Sequence, residues 1–348
     1  MTGETTNQTS TNHASIGIAI SGAGRIGRLH ARLIAREVPG LHVAGVTDVN
    51  EGAAQELADE LGVPVFADSA QAVATDAVQA LAICSATPAH VDAIVAAAQA
   101  GKAAFCEKPI STDLADVDRA LAAVNRYGTP FMVGFNRRFD PTHAAVRDAV
   151  HSGEVGAITM VRITSRDPAP PPPEYVASSG GIFVDMMIHD FDMAGALVDS
   201  PVTHVWAHGA CLIDPRIGEL GDFDTALAVL IHANGVTTTI DVSRQAPYGY
   251  DQRIEVLGVA GMVTSGNVAQ NQAQVARADG FRGAPLQHFF LERYMDAYRR
   301  QWLAFEEYLR TGGQSPVSGE QARIPVALAL AATRSAREQR LVAVDDVD

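Results

Sequence analysis

The chain is poor in cysteine and lysine, and it has no long apolar run. Its three cysteines, Cys84, Cys106 and Cys211, lie far apart, form no CxxC pair and match no metal-ligand spacing. The expectation is therefore no metal site and reduced thiols in a cytoplasmic protein, with Cys84 and Cys106 as small core residues inside strand-like runs. No hydrophobic stretch reaches the roughly 18–20 residues that a membrane span needs. Positive charge is also scarce: 26 Lys and Arg stand against 40 Asp and Glu, a formal net charge of −14. Such a chain gains nothing from phosphate backbones, so neither nucleic acid nor a membrane is an expected partner.

What the chain does have is 348 residues, 47% of them hydrophobic, enough for two domains with real cores. Residues 1–14 are rich in Thr, Asn and Ser and have no basic or apolar block, so they read as a disordered tail rather than a signal peptide. No internal repeat is evident.

Ile16 to Ser21 reads as a short buried strand, followed at once by Gly22-Ala23-Gly24-Arg25-Ile26-Gly27 and a helix over 26–38. Strand, glycine turn and helix form the setting of a dinucleotide fingerprint: Gly22 permits the turn, Gly24 lets backbone approach a pyrophosphate, and Gly27 lets helix and strand pack closely. A second strand, Leu41 to Thr47, ends at Asp48, about 20 residues on, where an acid hydrogen-bonds a ribose 2′-hydroxyl and repels a 2′-phosphate. NAD is thus expected over NADP. Helices and strands then alternate: helix 53–61, strand 64–66, strand 80–84, helix 90–100 and strand 103–106. This implies a parallel sheet whose ligand lies at the carboxyl ends of the strands. The loops at Gly22, Asp48, Ser85–Pro88 and Glu107–Pro109 gather there. The candidate NAD contacts are Gly22, Ala23, Gly24, Arg25, Ile26, Asp48, Ser85, Thr87, Pro88, His90, Glu107 and Lys108. Lys108, one of very few lysines, stands at a strand end between an acid and a proline, where it can stabilise a developing alkoxide.

Phe131 to Phe135 reads as the last strand of this first unit, and a helix follows over 142–152. The pattern then changes. Strand-like runs at 158–165, 202–210, 225–233, 235–243, 252–259, 263–264 and 268–276 predict a largely antiparallel sheet of five or six strands, closed by helices over 286–311 and 319–339. Between them lie a proline-rich loop, Asp167 to Pro173, and a helix bearing Asp185 and His189. Four residues make one helical turn, so both side chains are expected on one face, the carboxylate orienting the imidazole as a general base. A base beside a dinucleotide site points to removal of an alcohol proton while a hydride leaves. Asp190 and Asp192 are expected to cap, pair or face water.

At this point the residues resemble the glucose–fructose oxidoreductase/inositol dehydrogenase family. The features that carry the resemblance are Gly22 to His30, Glu107-Lys108-Pro109 and Asp185-x-x-x-His189; together they are highly specific and span nearly the whole chain. Gly134 to Asp140, Ser165 to Pro168, Tyr248 to Gln252 and Phe289 to Tyr294 are similar to stretches of its NAD-dependent inositol 2-dehydrogenases. The resemblance implies an α/β chain: an N-terminal Rossmann domain over 15–135, and an α+β domain over 136–348 that binds substrate and whose open sheet builds dimers and homotetramers. It implies Lys108, Asp185 and His189 as the catalytic set, and Asn136, Arg137, Asp167 and Tyr250 as contacts to substrate hydroxyls. Arg137 and Arg138 read equally well as structural ion pairs, and Tyr250 as a sheet aromatic. Some members carry methionine where this chain has Asn136, so the pocket is expected to differ in detail. The implied reaction is oxidation of a secondary ring hydroxyl of a cyclic polyol, foremost the 2-hydroxyl of myo-inositol, by NAD without a metal. Another inositol isomer or an aldose is the nearest rival, and a non-catalytic NAD-binding regulator is the rival of another class.

Overall fold

The computed structural model describes residues 14–347; the tail expected over 1–14 lies, but for its last residue, outside them. The first sheet is parallel, in the order β2-β1-β3-β4-β5, from β1 (Ile16–Ser21), β2 (Leu41–Thr47), β3 (Ala80–Ile83), β4 (Ala103–Cys106) and β5 (Phe131–Val133). Between them run α1 (Arg25–Glu37), α2 (Glu51–Leu61), α3 (Ser69–Ala74), α4 (His90–Gln99) and α5 (Leu114–Tyr127). All residues of β3, β4 and β5 are buried, as strands covered on both faces must be. The strand order reverses between β1 and β3, which opens the crevice in which ligands of such sheets bind. The segment 64–66 is not a strand: only an isolated bridge, Val46 to Val65, forms there.

The second sheet has seven strands rather than five or six. Its order is β11-β10-β6-β9-β8-β7-β14. After a 3-10 turn at Asn136–Phe139 and α6 (Pro141–His151) comes β6 (Ile158–Arg166). Then follow α7 (Pro173–Val176), α8 (Ile182–Asp185), α9 (Ile188–Leu197), β7 (Val202–Ala210), α10 (Pro215–Glu219), β8 (Thr225–His232), β9 (Thr237–Ser243), β10 (Asp251–Gly258) and β11 (Gly261–Thr264). All pairings are antiparallel except β6 with β9. Of the strand expected over 268–276 only the last three residues are extended, and they do not join this sheet. Instead β12 (Gln274–Arg277) and β13 (Gly280–Gly283) form an exposed hairpin of their own.

The chain closes with α11 (Phe290–Arg293), α12 (Met295–Thr311), α13 (Gly319–Glu338) and β14 (Val342–Ala343). The helix expected over 286–311 starts late and is broken at Tyr294. These helices join the two halves. Tyr294, Tyr298, Trp302 and Phe305 pack into the core of the first sheet, while Leu328, Ala329, Ala331 and Ala332 pack into that of the second. One buried relay pins this crossing. Trp302 Nε1 donates to His30 Nδ1 at 2.8 Å, and His30 Nε2 meets Glu107 Oε1 at 2.7 Å. An indole N–H can only donate, so Nδ1 carries no proton and Nε2–H donates to the carboxylate. Among the described residues no helix is long and apolar enough to cross a membrane.

Candidate active site

The glycine turn has the geometry a dinucleotide needs. Gly22 has φ +106°, and a Cβ there would stand 2.5 Å from the Ser85 amide nitrogen; a Cβ on Gly27 would stand 1.8 Å from the Gly22 carbonyl oxygen. Both must be glycine for β1, α1 and the end of β3 to pack together. A Cβ on Gly24 would instead meet nothing within 4 Å: this glycine faces open space. The first turn of α1 has neither a side-chain cap nor an acidic residue, so its amides and positive dipole end are left for an anion. Asp48 Oδ2 accepts from the Ala23 amide at 2.6 Å, and Oδ1 accepts from the Asn50 amide at 2.7 Å. The acid therefore sits against the fingerprint while each oxygen keeps acceptor capacity for a ribose hydroxyl. Ser85 Oγ is buried without a hydrogen-bond partner beside this turn. Open space at Gly24, an uncapped helix end, a poised acid and an orphaned hydroxyl together fit NAD. Thr87 and Pro88 form a partly exposed 3-10 turn at the same edge.

Two of the expected NAD contacts turn their side chains inward. His90 is buried, with Nδ1 2.8 Å from the Pro109 carbonyl and Nε2 3.0 Å from the Ser85 carbonyl. Both ring nitrogens face carbonyl oxygens, so the ring sits between the loops after β3 and β4 from behind. Burial lowers its pKa although both carbonyls favour the protonated ring; a neutral ring donates to only one of the two. Glu107 is likewise turned inward to His30.

Asp185 and His189 are not on one helix. Asp185 ends α8 and His189 lies in the first turn of α9, with a break at Met186 and Met187. The Asp185 carbonyl, which a continuous helix would bond to the His189 amide, accepts from Lys108 Nζ at 2.9 Å. The side chains do not hydrogen-bond each other either. Asp185 Oδ1 accepts from the Tyr175 hydroxyl at 2.7 Å, and Oδ2 from Arg244 Nη1 at 3.1 Å. His189 packs edge-on against Phe135, ring centroids 6.1 Å apart, with its Nδ1 enclosed and unpartnered. Enclosure, then the charges of Lys108 and Arg137, push its pKa well below the usual histidine value, so the ring is neutral.

Around this pair the structure assembles the remaining expected residues. Arg137 is buried and donates from Nη1 to Asp190 Oδ1 and to Ser165 Oγ. Arg138 pairs with Asp192. The ion-pair reading thus holds for both arginines, and Asp190 and Asp192 are its acids. Asp167 is half-buried; desolvation and the neighbouring Asp185 raise its pKa to about 6, against the pull of Arg244 and Arg137. Tyr250 is buried, edge-on to Tyr294, and burial raises its pKa well above the usual tyrosine value. Asn136 is buried next to Arg137, and its side-chain amide has no hydrogen bond to another of the described residues.

Tyr175, Asp222 and Arg244 belong to the site without being announced in the sequence. A signal for Arg244 does exist. Inward positions alternate along β9 as Thr238, Ile240 and Val242, and the next is Arg244; an arginine on a core face requires anions.

Residues 16–135 match the family model of an oxidoreductase family with an NAD-binding Rossmann fold, and residues 143–264 match that of the GFO/IDH/MocA C-terminal domain. The chain is 40% identical over 331 residues to the myo-inositol 2-dehydrogenase of Thermotoga maritima, covering 95% of this chain and 99% of that one. It is 42% identical over 330 residues to the inositol 2-dehydrogenase of Rhizobium meliloti, again covering 95% and 99%. Among solved structures, scyllo-inositol dehydrogenase from Lactobacillus casei with bound NAD(H) and scyllo-inositol superposes with a TM-score of 0.88 at 28% identity, covering 95% of this chain and 99% of that one.

Proposed function

Because the chain belongs to the GFO/IDH/MocA family of NAD-binding oxidoreductases, we propose that it is an inositol 2-dehydrogenase that oxidises the axial 2-hydroxyl of myo-inositol to the ketone. The observation that carries this reading is a neutral, enclosed imidazole, His189, beside the Lys108 ammonium, with Asp167, Asp185, Arg137 and Arg244 around them. These groups offer both hydrogen-bond donors and acceptors, which suits an uncharged polyol. His189 Nε2 takes the hydroxyl proton as the O–H bond breaks. Lys108, with N–H groups beyond the one given to Asp185, hydrogen-bonds the oxygen as it gains charge. Asp167, Asp185, Asn136 and the free edge of Arg137 hold the other ring hydroxyls, with Tyr250 closing the wall. Bound NAD supplies the acceptor for the hydride that leaves the ring carbon. The test is NADH formation with myo-inositol, scyllo-inositol, chiro-inositols and glucose. Turnover greatest with myo-inositol is expected; turnover confined to glucose would replace the proposed substrate.

Asp48 sets the cofactor. A carboxylate at the ribose repels a 2′-phosphate by about 1–4 kcal/mol at 4 Å, so NADH should bind more tightly than NADPH. Asp48→Ala should narrow that preference about tenfold or more. Titrating both nucleotides isolates the charge, because the lost Ala23 contact affects them alike.

Asp167 sets an acid limit. Its ionised form is the stronger acceptor for a substrate hydroxyl, and its pKa is raised to about 6. It is charged above that pH and neutral below it, so kcat/KM should fall as pH drops through about 6. His189 stays neutral across that range, because its own pKa is pushed further down. Asp167→Asn should abolish this limb while lowering kcat/KM at neutral pH.

The homotetramer is part of the same proposal. The face of the second sheet turned away from α9 and α13 exposes Met160, Trp206, Leu227 and Leu257 across four strands, and an apolar sheet face of this kind is covered by a second copy.

A further inference from the structure

Around the short helix α8 the structure closes a loop of hydrogen bonds. At its first residue the Ile182 amide donates to Asp222 Oδ1 at 2.9 Å. Asp222 Oδ2 accepts from Arg244 Nη2 at 3.2 Å, and Arg244 Nη1 donates to Asp185 Oδ2, on the last residue of α8, at 3.1 Å. Arg244 is 1% exposed and its own amide donates to the Asp224 carbonyl at 2.8 Å. Gly181, at φ +88°, makes room: a Cβ there would stand 3.0 Å from Asp222 Oδ1. Among the described residues the other Asp185 oxygen is held by Tyr175 alone, a half-exposed residue.

We propose that Arg244, tied back through Asp222, is a positioning residue that fixes Asp185 in the substrate pocket and leaves Oδ1 as the oxygen a substrate hydroxyl takes. The inference rests on the polyol dehydrogenase reading above. Arg244 acts through a rigid frame: it is buried, it bonds Asp185 at the last residue of α8 directly and the first residue through Asp222, and its planar fork spans two carboxylates, which an ammonium cannot do. Tyr175, on the solvent side, is the exchangeable partner.

The test compares Arg244→Met, Arg244→Lys and Asp222→Asn with the wild type. Arg244→Met should lower kcat about 100-fold, the scale of a small misplacement in the pocket, with NADH affinity unchanged because the glycine turn is untouched. Arg244→Lys should recover only part of kcat. The pH profile separates charge from shape. Asp167 is faced by Asp185, Asp190, Arg137, Arg244, Tyr175 and Tyr250, so losing Arg244 removes a cation that favours its ionised form. The acid limb should move above 6 in Arg244→Met and stay near 6 in Arg244→Lys. Should Arg244→Met not fold, the other two variants carry the test. A crystal structure of a folded variant reads the clamp without turnover: a turned Asp185 carboxylate is expected. Wild-type kcat in the Met variant, or an unmoved Asp185, would overturn the inference. A wild-type enzyme that turns over no polyol would overturn the functional reading alone.

Discussion

His189→Ala is expected to lower turnover of the polyol roughly 10²–10⁴-fold, the usual contribution of a general base, while NADH binds as it does to the wild type. The split follows from placement. His189 is on α9 under the second sheet, and the glycine turn, Asp48 and Ser85 are at the edge of the first. The imidazole makes no contact with the glycine turn, Asp48 or Ser85, so the loss should appear in kcat and kcat/KM. Steady-state kinetics and fluorescence titration of NADH are the two readouts. The imidazole does not receive its orientation from a carboxylate in this structure, because Asp185 is engaged by Tyr175 and Arg244. Edge-on packing against Phe135 and enclosure hold the ring instead. Near-normal turnover in His189→Ala would remove the base from the account.

The second large effect is at the glycine turn, where two neighbouring glycines should respond in different ways. Gly22→Ala puts a Cβ 2.5–2.6 Å from backbone atoms of Cys84 and Ser85, at φ +106°. The backbone strain alone is about 1–3 kcal/mol, and the neighbours are main chain that cannot step aside. Thermal stability should drop, and NADH affinity should fall about 100-fold, the equivalent of about 3 kcal/mol. Gly24→Ala has nothing within 4 Å and an extended φ of −72°. It should leave the melting temperature unchanged and still weaken NADH, because the added methyl occupies the approach to the pyrophosphate. Equal loss of stability in both variants would contradict this division between packing and binding.

Much of the first half is legible because its signals are local. β1, β2 and β4 occupy the residues that the run of buried side chains predicts, and the glycines are spaced by the turn they build. α5 also carries ordinary signals, an Asp113 cap and a left-handed Gly128, although the alternation of strands alone does not place it. In the second half β7 matches its expected range, but the sheet gains a seventh strand because β14, two residues long, is recruited from the chain end by pairing with β7. The hairpin of β12 and β13 is exposed along its whole length and pairs only within itself, which the sequence over 268–276 does not announce.

The site is legible in its residue types and not in its hydrogen bonds. Spacing of four predicts that Asp185 and His189 share a helix face; tertiary partners win instead. Lys108 takes the Asp185 carbonyl, and Arg244, 59 residues further along, takes its carboxylate. His90 and Glu107 lie beside the expected cofactor loops in sequence, yet both are turned into the protein, where they hold those loops in place. Proximity in sequence places a residue near a site, and its partners decide which way it faces.

The most direct measurement of the central claim uses myo-inositol carrying deuterium on the carbon that bears the axial hydroxyl. The account predicts that the label appears in the reduced NAD, with a primary isotope effect on a chemical step that slows further in His189→Ala. Deuterium retained in the sugar ring, or released to water while NADH forms, would contradict it.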